Sequence, residues 1–178
     1  MISPERTELN RFETKVANGV AEGLVSLYID VMQVNVGLRC NQQCRHCHLD
    51  CSPQRTEVMD WPVMEMVLAA CERAGAGLVD ITGGAPELNP HLRQLVQAVR
   101  QDGREVQVRT NLTVLLEKGQ EDTIDFLRRH GVRLIASMPC YLDENVTTQR
   151  GPGVYCRSVE AIRRLNEAGD LPPISVPT

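Results

Sequence analysis

Residues 32–53 read MQVNVGLRCNQQCRHCHLDCSP. The first five alternate apolar and polar side chains and include two β-branched valines, the pattern of a strand. The loop that follows carries four of the chain's seven cysteines, Cys40, Cys44, Cys47 and Cys51, and two of its four histidines, His46 and His48. In parallel α/β folds, ligands gather where loops leave the carboxyl ends of the strands. The fold therefore turns on whether other strands deliver further loops to the same end.

They do. Strand-like runs recur at 78–82 (LVDIT), 105–109 (EVQVR) and 132–137 (VRLIAS). Helical patterns separate them. Val63, Met64, Val67, Leu68 and Cys71 share one helical face, with Asp60 placed to cap that helix and Gly75 to stop it. Asn89 and Pro90 open a second helix whose apolar face is Leu92, Leu95, Val96 and Val99. A third is expected near 121–129, ending at Gly131, and a fourth near 158–168, ending at Gly169. Alternating strand and helix imply parallel strands joined by right-handed crossovers. The expected fold is α/β, an incomplete parallel (β/α) barrel of about four units.

Composition narrows the function. The 178 residues suit one domain, and 42% hydrophobic residues with only 3% aromatics imply a core of Leu, Val, Ile, Ala and Met. A net charge of −4, with both signs interspersed, carries no nucleic-acid footprint. The polar N-terminus is no secretory signal, and no apolar run nears the roughly 20 residues that span a bilayer. These features predict a cytoplasmic protein with no membrane or nucleic-acid partner. In that compartment clustered cysteines bind metal more readily than they pair as disulfides.

The spacing of Cys40, Cys44 and Cys47 is C-x3-C-x2-C. Structural zinc sites usually pair two separated knuckles. The second pair is missing here unless His46, His48 or Cys51 replaces it. A closed ferredoxin-type run is C-x2-C-x2-C-x3-C-P. Cys51 lies at the right distance from Cys47, but the first gap is one residue too long. Three thiolates on a 4Fe–4S cluster would leave one iron open to bind a small molecule. The polar residues Arg39, Gln42, Gln43 and Arg45 around these thiols suggest that they fill no core.

A C-x3-C-x2-C loop after the first strand, with the glycine pair Gly83–Gly84 after the second, resembles the radical S-adenosylmethionine (SAM) enzymes. The stretches QVNVGLRCNQQCRHCHLD, SPQRTEVM, DITGGAPELNP and QRGPGVYCRSVEAIRRLNEAG resemble, more narrowly, the arsenosugar-biosynthesis members of that superfamily. The resemblance implies a core over 32–169, an N-terminal extension over 1–31 and a short tail over 170–178. It implies that Cys40, Cys44 and Cys47 hold a 4Fe–4S cluster whose open iron chelates SAM. Reduction would then yield a 5′-deoxyadenosyl group, transferred to a methylated arsenical. A reductant such as ferredoxin or flavodoxin would supply the electron. A peptide substrate is one alternative. A non-catalytic electron carrier closed by Cys51 is another.

The resemblance also assigns cofactor contacts. Gly83 and Gly84 would let backbone approach the methionine amino group, although a glycine pair after a strand is also an ordinary turn. The superfamily usually continues with glutamate and proline, whereas this chain has Ala85 and Pro86, and Glu87 stands two positions late. Thr110, Asn111 and Ser137 fall where relatives face the ribose, and equally where turns need caps. Arg150, in a loop entering the last helix, would meet the cofactor carboxylate or simply solvent. His46 reads as packing over the cluster, and Cys71 as core. Cys140, Cys51 and Cys156 are candidates to hold a soft arsenical, with Cys140 first because it directly follows a strand. Only four units are present where the superfamily usually has six, and ISV in the tail could only begin a fifth, so the chain reads as truncated.

Overall fold

The computed structural model describes residues 11–19 and 28–169. The elements run α1 (Arg11–Gly19), β1 (Val31–Asn35), α2 (Trp61–Ala74), β2 (Leu78–Thr82), α3 (Leu92–Gln101), β3 (Glu105–Thr110), α4 (Thr123–Arg129), β4 (Arg133–Ala136), α5 (Asp143–Arg150) and α6 (Val154–Glu167). Two 3-10 turns, Pro86–Leu88 and Thr113–Leu116, follow β2 and β3. The tail expected over 170–178, with its ISV strand, lies outside the described residues, as does most of the extension.

All strand pairings are parallel, in the order β1-β2-β3-β4. Among the described residues β1 and β4 are the open edges, as an incomplete barrel requires. The register aligns Val34, Ile81, Val108 and Leu134 in one row across the sheet. All four are buried, and Leu95, Val96 and Val99 of α3, Met64 of α2 and Leu127 of α4 join them in one core. Each fully buried Val or Leu of such a layer contributes about 1.5–3 kcal/mol. The opposite face is polar. Its row is Gln33, Asp80, Gln107 and Arg133. Asp80 is buried and accepts from Arg109 Nε at 3.0 Å, Arg109 Nη2 at 2.8 Å and Gln33 Nε2 at 2.8 Å. Burial alone would raise the Asp80 pKa, but these donors, with Gln107, outweigh it and pull the carboxyl below its ordinary range.

The local signals of α2 hold. Asp60 Oδ1 accepts from the Val63 N–H at 3.2 Å, and Gly75 ends the helix in the left-handed region at φ 66°. Met64 and Cys71 are buried, but Val63 is 43% exposed, so the apolar face is narrower than its sequence pattern. Helix α3 begins at Leu92, not at Asn89 and Pro90. The Asn89 side chain still bonds at the approach to the helix, its Oδ1 accepting from the His91 N–H at 2.8 Å. Its Nδ2 donates to the carbonyls of Val36 at 2.8 Å and Met59 at 3.0 Å, tying the end of β1 to the approach to α2. The larger departure is α5, which occupies a segment read as loop. Only Val146 and Arg150 of its eight residues are buried. An apolar periodicity therefore never forms, and Arg150 ends a helix where a loop was expected.

Candidate functional site

The long connection from β1 to α2 is irregular but closely pinned. Gly37 pairs with Val58 and Arg39 with Ser52 as isolated bridges, folding the loop back on itself. The Cys40 N–H reaches Ser52 O at 3.1 Å, and the Arg45 N–H reaches Gln149 O of α5 at 2.9 Å. From below, the end of β2 is inserted against this loop. The Gly84 N–H donates to Gly37 O at 3.0 Å and the Ala85 N–H to Arg39 O at 2.9 Å. A Cβ on Gly84 would overlap the Arg39 carbonyl, and one on Gly83 would lie 2.7 Å from Gly37 O. The glycine pair is thus a steric joint between strand end and cysteine loop, beyond being a turn.

A cleft of about 340 Å³ opens at the carboxyl ends of the strands. Cys40, Cys44 and Cys47 line one side of it. Gly83, Gly84, Thr110, Asn111, Ser137 and Arg150 line the rest. All nine residues assigned to the cluster and to SAM therefore line one cavity, within the size range of small-molecule sites, roughly 300–1,000 Å³. His46 lies on its exposed rim. The fourth unit contributes through Ser137 after β4 and Arg150 at the end of α5, whereas 138–141 stay outside. Cys140 and Cys156 do not line the cleft, and Cys156 is exposed. Cys140 instead takes bonds from Asn145 Nδ2 at 3.2 Å and the Leu142 N–H at 3.4 Å, which hold its thiol below the ordinary value.

The cysteines are less uniform than a polar loop predicts. Cys40 and Cys51 are buried, and Cys47 packs against the core. Arg39, Gln43 and Arg45 are exposed, while Gln42 turns inward with Cys40 and Cys51. Burial pushes the Cys40 thiol up, eased by the Gln42 N–H and Asn111. Burial also raises Cys44, and the nearby Arg150 charge opposes it. Cys51 is pushed up to about 12, by burial and then by Cys47. Among the described residues no three His, Cys, Asp or Glu side chains converge as a single metal ion requires. The three motif thiols line one side of the cleft instead.

Arg150 is buried, and its Nε and Nη1 have no partner. Its Nη2 donates to Ser137 Oγ at 2.6 Å. A buried guanidinium with two orphan donors at a cleft wall is built to receive an anionic group, since unmet donors there cost about 1–3 kcal/mol each. Thr110 and Asn111 use their polar atoms differently. Thr110 Oγ1 accepts from the Leu112 N–H at 3.1 Å, a local turn. Asn111 Oδ1 accepts from the Val114 N–H at 3.0 Å, and its Nδ2 donates to Asn41 Oδ1 at 2.7 Å. Turn capping, one of their two sequence readings, is realised for both.

Three features escaped the sequence. Arg109 and Ile135 also line the cleft. The alternation of Gln107 and Arg109 with Val106 and Val108 along β3 was the available signal. Gln42, read only as polar padding, is buried and donates to Thr113 Oγ1 at 2.6 Å. Glu87 is buried with neither carboxylate oxygen partnered, although the Thr110 hydroxyl lies near enough to ease its ionisation. Burial raises its pKa to about 7. Glu87 does not line the cleft, so it does not replace the missing glutamate after the glycines.

The sequence model described as the Radical SAM superfamily matches residues 34–172. A protein described as a probable GTP 3′,8-cyclase from Thermoplasma volcanium is 25% identical over 148 residues, 82% of this chain and 43% of its own. The antilisterial bacteriocin subtilosin biosynthesis protein AlbA of Bacillus subtilis is 23% identical over 74% of this chain and 29% of its own. The chain thus spans less than half the length of either relative. Among solved structures, Streptococcus suis SuiB bound to S-adenosylmethionine superposes with a TM-score of 0.67 at 16% identity, covering 88% of this chain and 36% of SuiB. SuiB bound to its precursor peptide SuiA gives 0.66 at 17% identity, covering 96% and 39%. No helix among the described residues is long and apolar enough to cross a membrane.

Proposed function

The chain belongs to the radical SAM superfamily, and from that premise we propose that Cys40, Cys44 and Cys47 hold a 4Fe–4S cluster beside a bound SAM, in an enzyme that cleaves SAM reductively. The observation that carries this is the single cleft in which the C-x3-C-x2-C thiols, the glycine pair and the orphan donors of Arg150 meet. When bound, the cluster supplies the electron that breaks a carbon–sulfur bond of SAM, drawn from a reductant such as ferredoxin or flavodoxin.

The protein's own groups bind, orient and exclude water. Arg150 offers Nε and Nη1 to the methionine carboxylate, and Ser137 steadies the guanidinium at 2.6 Å. Gly83 and Gly84 bring backbone close enough to meet the amino group. Thr110 and Asn111 shape the wall beneath. Cys51 falls outside the three-thiol motif and is left out of the ligand set. The site sits in a cytoplasmic protein.

Two substrates have separate support. The sequence strings support 5′-deoxyadenosyl transfer to a methylated arsenical. The likeness to AlbA, named for bacteriocin biosynthesis, and to SuiB, solved with a precursor peptide, supports a peptide. Cys140, the first thiol proposed for arsenic, lies outside the cleft, whereas Cys51, another of the three candidates, lines it.

Anaerobic reconstitution followed by electron paramagnetic resonance tests the cofactor reading. Adding SAM should change the spectrum of the reduced cluster and release 5′-deoxyadenosine. An unchanged spectrum would favour the electron carrier closed by Cys51. Incubation with dimethylarsinous acid or with a leader-bearing peptide, read by mass spectrometry, then separates the substrates.

A further inference from the structure

We propose that Asn111 is a positioning residue that raises the cluster's reduction potential through an N–H···S bond to Cys40. This rests on the cluster reading above. The three ligand thiols are unequally served. Cys40 Sγ receives the Gln42 N–H at 3.4 Å and Asn111 Nδ2 at 3.4 Å. Cys47 Sγ receives the Cys51 N–H at 3.4 Å. Cys44 Sγ is itself the donor, to Gln42 Oε1 at 3.3 Å. Two of these donors to sulfur are backbone and follow from the loop's path. Asn111 contributes a side chain, from the loop that follows β3.

The Asn111 amide is oriented by its surroundings. Its Oδ1 accepts from the Val114 N–H at 3.0 Å and Thr113 Oγ1 at 3.3 Å. Its Nδ2 also reaches Asn41 Oδ1 at 2.7 Å. A flipped amide would point an oxygen at Asn41 Oδ1 and an NH2 at the Val114 N–H, so only one orientation satisfies the network. Asn41 is oriented in turn, its Nδ2 donating to Thr113 Oγ1 and Glu117 Oε1, both at 3.0 Å. Glu117 is fixed by Arg157 at 2.8 Å. The chain of bonds therefore runs from an ion pair on the outer wall to the sulfur of a cluster ligand.

A donor on a coordinated thiolate withdraws electron density and favours the more negative, reduced cluster. Asn111 is buried, where such a bond is strengthened by the low dielectric. Removing it should lower the potential. Replacing the amide by a carboxylate of the same shape, which sets negative charge against the sulfur, should lower it further.

The test uses the full chain, reconstituted as wild type, Asn111→Leu, Asn111→Asp and Thr113→Val. Iron and sulfide are counted, and the potential is read by redox titration followed by electron paramagnetic resonance. The expected order is wild type highest, then Asn111→Leu, then Asn111→Asp. Thr113→Val removes one bond to the Asn111 amide but none to the sulfur, and should lower the potential by less than Asn111→Leu. Unshifted Asn111 variants would overturn the proposal. So would an equal fall in Thr113→Val, which would signal a loosened loop, or loss of the cluster from both Asn111 variants, which would make the role assembly. A wild type that takes up no cluster would instead overturn the cofactor reading on which this stands.

Discussion

Two stretches of this molecule carry cysteines just past a strand, and they differ in every respect that matters for chemistry. The loop after β1 brings Cys40, Cys44, Cys47 and Cys51 into one cleft. The stretch after β4 carries Cys140 outside it, and Cys156 is exposed. Both begin at the same end of the sheet. The first is folded back on itself by the Gly37–Val58 and Arg39–Ser52 bridges and held down on Gly84 and Ala85. The second runs directly into α5, where Asn145 takes up the Cys140 sulfur. Position after a strand supplies an address, but the pins decide where a side chain points.

The comparison breaks outright if the first loop's thiols prove dispensable. Cys40→Ala, Cys44→Ala and Cys47→Ala should each abolish a normal 4Fe–4S cluster on reconstitution, measured as iron and sulfide per chain. Full incorporation in any one of them removes that residue from the ligand set.

The joint under the loop comes next. Gly84→Ala forces a methyl group against the backbone of Arg39, whose carbonyl carbon would be 2.8 Å away. Overpacking of this kind costs about 1–3 kcal/mol, and here it also displaces Cys40. Thermal denaturation should show a lowered Tm, with reduced cluster retention. An unchanged Tm would mean that the two segments can separate freely.

Glu87 sharpens the picture of that joint. Burial keeps it neutral up to about pH 7, whereas its ordinary value is 4.5. Between those values the unfolded chain binds fewer protons than the fold. The Glu87 contribution to stability should therefore be fullest below 4.5, fall as pH rises towards 7, and level off above, by an amount on the order of 3 kcal/mol. Glu87→Gln should flatten the decline in denaturant titrations across that window. A wild-type profile already flat would place the carboxylate in contact with water.

Arg150 connects the two stretches, since it ends α5 yet lines the cleft. Arg150→Gln should weaken SAM binding about tenfold, or roughly 1.4 kcal/mol, in equilibrium dialysis against the reconstituted protein. The smallest effect belongs to the second stretch. Cys140→Ser should leave cluster content and SAM cleavage at wild-type levels, and a measurable loss in either would bring that thiol back into the site.

The alternation of strand and helix was legible because each element signals itself locally. Val34, Ile81, Val108 and Leu134 sit in runs with a period of two, and the faces of α2 and α3 repeat every three or four residues. The spacing of Cys40, Cys44 and Cys47 is local in the same way. Helix α5 was not legible, because a mostly exposed helix has no apolar stripe to announce it. Nor was the inward turn of Cys40 and Cys51, since the polar character of Gln42 and Arg45 describes their own side chains and not their neighbours'.

By itself, then, the sequence determined a parallel α/β chain with a three-thiol loop and a glycine pair at one end of its strands, because periodicity and spacing are short-range properties. Only the tertiary structure decided that Arg150 would lie buried with two idle donors, that Glu87 would stand clear of the cleft, and that Asn111 would reach the sulfur of Cys40. That last pair is separated by 71 positions in the chain. Such a contact depends on how the register of four strands stacks their loops, and no local pattern of residues encodes a distance across a sheet.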